Sequence, residues 1–151
     1  MRSALIKTLA VPALVLSVWS ASGVAQADTV SGTNGEATVL AAGCPSDGWY
    51  GGVNSRCTSL SSGALFHQKS HPTSGTGQIK TWYVKSSGSA ISMKLGYVQG
   101  GTTHYGPTVS QVSGTTKTQT WGTSYDNVCS ATTGVMSVSG QGLFQTPSAH
   151  C

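Results

Sequence analysis

The residues with which this chain could do acid-base or nucleophilic chemistry are few and scattered. Past residue 27 it carries four carboxylates (Asp28, Glu36, Asp47, Asp126), four histidines (His67, His71, His104, His150) and one arginine, Arg56. A glycosidase needs two carboxyl groups flanking the bond it cleaves, and no Asp or Glu falls in the segments that read most clearly as strands. Secreted ribonucleases of this size combine histidine with glutamate or a second histidine and arginine, whereas Glu36 here lies in an N-terminal polar stretch. Serine hydrolysis has no Gly-x-Ser-x-Gly elbow to work from, so His104 and Asp126 would have to meet by chance geometry. The glycine pairs belong to hairpins rather than to a phosphate-cradling loop. The histidines match no familiar ligand spacing and there is no C-x-x-C, so neither a metal nor a cofactor is expected. The balance is against an enzyme.

Cys44, Cys57, Cys129 and Cys151 form an even set, which in an exported chain reads as two disulfides with three pairings open. Proximity favours Cys44 with Cys57 and Cys129 with Cys151. Loops of that size are worth about 3 kcal/mol each in the chain-entropy model.

What remains is chemistry by contact. Trp49 and Tyr50 lie in a turn-rich loop bounded by Cys44 and Cys57, where a disulfide would lower the ordering cost of binding. The plainer expectation is that Trp49 folds back over the disulfide as a satellite core. Tyr83, Lys94 and Tyr105 form a second candidate if three consecutive strands make a meander. A tyrosine pair beside threonines and a lysine could stack on sugar rings or a flat peptide. The plainer expectation is again that the tyrosines merely cover the sheet or pack under a loop.

The elements that must position these residues are strands. Gln78 to Lys85 and Ala90 to Val98 alternate in apolar character, and Ser86-Ser87-Gly88-Ser89 reads as the hairpin loop between them. That register sets Val84 against Ile91 and Trp82 against Met93, with Tyr83 and Lys94 on the other face. The expected core is Trp82, Val84, Ile91, Met93, Leu95 and Tyr97. Gly100-Gly101 is a two-residue turn leading into Thr102 to Gln111, which puts Tyr105 opposite Gly96, and Pro107 marks an edge or a bulge. Residues 115–121, 134–138, 142–145 and 60–68 supply further strands. Leu65-Phe66 and Leu143-Phe144 read as two Leu-Phe steps into one core. The fold class is all-β, an antiparallel sandwich of about seven strands or a small barrel, stapled by two disulfides.

Residues 1–27 carry the marks of an export signal: Arg2 and Lys7, a short apolar run from Leu9 to Val18, and Ala25-Gln26-Ala27 as a cleavage site. The apolar run is short for a membrane span and is broken by Pro12. Residues 28–43 read as a flexible arm or pro-segment and 44–151 as one β domain. Charged residues are only 8% of the chain, with six cations against four carboxylates past residue 27 and no dense basic cluster. Nucleic acid is therefore not an expected partner. The sequence points to a secreted, extracellular binding protein acting on a glycan, a cell surface or another protein, without stable membrane insertion. Its competitors are a secreted protease inhibitor or antimicrobial effector, and a structural cell-envelope protein.

Overall fold

Alternating side chains on ten-residue strands can cover two faces at once, and this chain uses both. The computed structural model describes residues 43–52, 54–71 and 74–151; the proposed export signal and nearly all of the proposed arm lie outside them. Among the described residues there are eight strands: β1 Ser55–Leu60, β2 Gly63–Ser70, β3 Thr76–Lys85, β4 Ile91–Gln99, β5 Thr102–Gln111, β6 Thr115–Ser124, β7 Thr132–Val138 and β8 Gly142–Ala149. They form two antiparallel four-stranded sheets, in the orders β1-β2-β3-β6 and β5-β4-β7-β8. The fold is thus a sandwich. One short 3-10 turn, Tyr125–Cys129, carries the chain from β6 back to β7.

Seven of the eight strands coincide with segments legible in the sequence. The eighth, β1, begins inside the loop expected between Cys44 and Cys57 and takes Leu60 from the strand expected over 60–68, because Ser-Arg-Cys-Thr-Ser-Leu has little apolar content. Both local disulfides are present, Cys44–Cys57 and Cys129–Cys151. At Gly100-Gly101 the chain turns as expected, with φ of 56° and 80°. Two successive positive φ values are what a tight hairpin demands and what glycine supplies at no steric cost. β4 and β5 then pair from Gln99↔Thr102, with a bulge between Lys94 and Gly96 opposite the segment holding Pro107.

The expected β3–β4 hairpin does not exist. β3 pairs with β2 and β6, while β4 pairs with β5 and β7, so residues 86–90 form an arch that crosses from one sheet to the other. Its amides bond elsewhere: Ser86 and Ser87 N–H donate to the Ser62 carbonyl in the β1–β2 turn. The β5–β6 connection is a second arch beside it, with Gly114 N–H donating to Lys85 O and Ser113 Oγ to Ser86 O.

This correction moves the core. Leu65, Tyr83, Met93, Leu95, Met136 and Val138 pack between the sheets, with Leu60, Ile91, Val109 and Phe144 partly buried around them. Trp82 and Val84, expected there, instead join Cys57, Ala64 and Phe66 in a second cluster on the outer face of the β1-β2-β3-β6 sheet, beneath Tyr50 and Cys44. Phe66 and Trp82 stack at 5.2 Å, and Tyr50 meets both edge-on at 4.9 and 5.8 Å. The two Leu-Phe steps likewise split: Leu65 and Phe144 face the core, whereas Phe66 faces outward and Leu143 is exposed.

Candidate functional site

The structure separates the residues that the sequence grouped. Tyr83 is 3% exposed and sits in the inter-sheet core, on the sheet opposite Lys94, so it cannot share a binding face with Lys94 or Tyr105. Burial raises its phenol pKa above the ordinary value. Tyr50 is held under the N-terminal loop by Phe66 and Trp82 and is spent on packing. Trp49, by contrast, is 50% exposed. Its backbone bridges to Arg56 along the edge of β1, and its N–H donates to Asp47 Oδ1 at 2.9 Å. Tyr50 thus makes the satellite core expected of Trp49, for the alternation of an extended segment turns neighbours to opposite sides.

Lys94 and Tyr105 do come together. Both lie on the outer face of the β5-β4-β7-β8 sheet, where cross-strand rows read Thr108–Lys94–Ser137–Leu143 and Tyr105–Gly96–Val135–Gln145. Gly96 matters because a Cβ there would lie 2.8 Å from Tyr105 Cδ1 and 2.6 Å from the His104 carbonyl oxygen. The tyrosine ring therefore lies down across the glycine instead of standing clear of the sheet. Beside it is an open depression of about 280 Å³ lined by Ser92, Met93, Lys94, Tyr105, Thr108, Ser137 and Ser139. Tyr105 remains 43% exposed, and Leu143 beyond it 52%. The four hydroxyl residues of this lining went unsingled in the sequence, because serine and threonine are too frequent here to stand out. Their signal was the spacing of alternate positions in β4, β5 and β7, readable only once those strands were known to be neighbours.

A second polar assembly lies inside the sandwich. His67 is fully buried, its Nδ1 2.9 Å from Thr81 Oγ1 in its own sheet and its Nε2 2.8 Å from Thr132 Oγ1 in the other. Gly134 leaves the room for this ring, since a Cβ there would meet His67 Cβ at 2.5 Å. Lys69, two residues on, donates from Nζ to the carbonyls of Ser130 and Ala149, each one or two residues from a cysteine of the second disulfide. Burial, reinforced by the Lys69 charge, lowers His67 to about 3, and burial lowers Lys69 to about 8. The imidazole at neutral pH is thus a neutral strut between sheets, with both nitrogens occupied. His104 stacks on Tyr97 at 4.7 Å, and Trp121 meets Tyr97 edge-on at 5.0 Å.

Two local disulfides are consistent with an oxidising environment. Among the described residues no helix is long and apolar enough to cross a membrane. No family model, curated protein or solved structure matches this chain.

Proposed function

We propose that this is a secreted, non-enzymatic binding protein that meets a glycan of a cell envelope or cell surface through the outer face of the β5-β4-β7-β8 sheet. The observation that carries this reading is the convergence of Tyr105 and Lys94 on an open, hydroxyl-lined depression of about 280 Å³. A flat aromatic ring offers apolar area to the C–H face of a sugar. Ser92, Thr108, Ser137 and Ser139 can donate and accept around it, and the lysine supplies a single cation. Strands hold all of these groups except Ser139, which follows β7 directly, so little ordering cost attends binding.

Sedimentation with peptidoglycan, chitin or intact cells tests the proposal. Wild-type protein should partition into the pellet, and Tyr105→Ala with Lys94→Ala should reduce that partition at least tenfold while the thermal midpoint stays within a few degrees. Lys94 lies on the surface, where substitutions usually cost under about 0.5 kcal/mol, and Tyr105, 43% exposed, packs only over Gly96 on the sheet's outer face. Binding that survives the double substitution unchanged would remove this face from consideration.

A further inference from the structure

A sandwich of this kind has four edge strands, and three of them are visibly guarded against pairing. β1 is six residues long, and its outer edge is occupied by the Trp49 bridge to Arg56 and by Cys57 N–H donating to Gly48 O. β5 contains Pro107 and the bulge. β8 contains Pro147, pairs irregularly with β7, and gives its Gln145 carbonyl to the Thr58 hydroxyl. Proline, bulges and covering segments are the usual devices that keep edges from associating. Among the described residues β6 has no proline, no bulge and no covering segment, and the one guard it carries is an inward-facing charge, Lys117. Its ten residues, Thr-Thr-Lys-Thr-Gln-Thr-Trp-Gly-Thr-Ser, pair with β3 without a single register break.

From this contrast we infer that β6 is a docking edge for a second copy of the same chain, paired antiparallel about a two-fold axis at Gln119. The phase of the ladder makes the strand available. Lys69 N–H donates to Asn54 O and Ser86 N–H to Ser62 O, each continuing the register of its strand pair. Because hydrogen-bonded and non-hydrogen-bonded pairs alternate, odd-numbered residues of β6 are spent on β3. The N–H and C=O groups of Thr116, Thr118, Thr120 and Gly122 therefore point away from the sheet.

The segment is also self-complementary, which is why the occupant is its own copy. A two-fold at Gln119 sets Thr118 opposite Thr120 and Thr116 opposite Gly122 of the other copy, joining outward-pointing groups on both strands. On the inner face the same register sets Lys117 opposite Trp121, a cation facing an aromatic ring. Threonine pairs are favourable cross-strand neighbours. An axis two residues away, at Lys117, would instead place two lysines against each other. Isologous contacts of this kind close at two subunits. Among the described residues, the 3.3 Å bond from Gln119 Nε2 to the Thr120 carbonyl is the one that must be exchanged.

Sedimentation equilibrium over a concentration series, with amide hydrogen exchange on the same samples, tests the edge. The expected result is a concentration-dependent doubling of mass, accompanied by slower exchange of the Thr118 and Thr120 amides as the dimer forms. Thr118→Pro removes an outward N–H and leaves the β3 ladder intact, while Thr118→Lys with Thr120→Lys sets like charges across the axis. Each variant should weaken association at least tenfold. A monomer at every concentration, open-ended oligomers, wild-type association by both variants, or a dimer in which those two amides gain no protection would each overturn the inference.

Discussion

Acidification from pH 6.5 to pH 3 should cost this domain roughly 4 kcal/mol through His67 alone, and most of that loss should disappear in His67→Gln. The imidazole is lowered to about 3 in the folded protein against an ordinary value of 6.5, and each pKa unit is about 1.4 kcal/mol of differential stability. The sign follows from proton counting. Between pH 6.5 and 3 the unfolded chain binds a proton at this site and the folded chain does not, so stability is full above 6.5 and falls as the pH drops toward 3. The cause is geometric: an imidazolium would be enclosed between Thr81, Thr132 and Gly134, with the Lys69 charge nearby. In most proteins acid sensitivity comes from paired carboxylates, but the acidic side chains among the described residues are Asp47 and Asp126, both exposed. One buried histidine therefore dominates. Since a small domain holds about 5–15 kcal/mol in total, the effect is large enough to bring it near unfolding. Glutamine offers both a donor and an acceptor to the two threonines and has no proton to gain. Denaturant titrations at a series of pH values measure this directly; a wild-type midpoint that stays level from pH 6.5 to 3.5 would refute the sealed-strut account.

At the other end of the scale Lys69 acts with the same slope. Its folded value of about 8 lies below the ordinary 10.5, so the folded state sheds a proton that the unfolded state keeps. Stability should rise again from pH 8 toward 10.5. Above about pH 10 the buried Tyr83 and Tyr97 oppose it, because burial disfavours their phenolates.

The histidine strut also shows where sequence reasoning stopped. Period-two alternation found the strands, since Leu65, Met93, Leu95, Met136 and Val138 recur at alternate positions. Yet His67 and Lys69 are in phase with Leu65 and lie on the same inward face, where a rule that sends polar residues outward would not put them. The disulfide pairing was legible because short loops close easily. The sheet assignment was not. A hairpin and an arch present the same alternation on either side of Ser86-Ser87-Gly88-Ser89, and only the distant Ser62 carbonyl, which takes the arch amides, distinguishes them. β3 compounds the ambiguity by burying Trp82, Tyr83 and Val84 in succession, so neither of its faces reads as solvent. Of the candidate site, the Gly96–Tyr105 opposition was readable from the Gly100-Gly101 turn. The partnership of Lys94 with Ser137 required knowing that β7 lies beside β4.

Trp82→Ala is expected to cost about 3–5 kcal/mol, the range for removing a buried large aromatic, although Trp82 lies outside the core between the sheets. Its ring stacks on Phe66, meets Tyr50 edge-on, and has Lys80 Nζ 5.2 Å from its centroid. The loop that covers this cluster is tied down at Cys57, itself 1% exposed and part of the cluster. Removing the Cys44–Cys57 bond alone, as Cys44→Ser with Cys57→Ser, should cost about 2–5 kcal/mol. The two losses should not add. Once Trp82 is gone Tyr50 loses an edge-on partner and the loop has less to cover, and once the disulfide is gone the loop no longer holds Tyr50 over Trp82. Contacting groups commonly couple by about 0.5–3 kcal/mol, so the combined variant should fall short of the sum by an amount in that range. By contrast Leu65→Ala, in the inter-sheet core, should add to the disulfide loss within about 0.5 kcal/mol, because it shares no cluster with the loop. Equal coupling of the disulfide to Trp82 and to Leu65, measured by urea unfolding of the full set of variants, would mean that the outer cluster is not a separate unit. Unequal coupling would make the outer face of the β1-β2-β3-β6 sheet a second core, with the N-terminal loop as its lid and the disulfide as the constraint that keeps the lid in place.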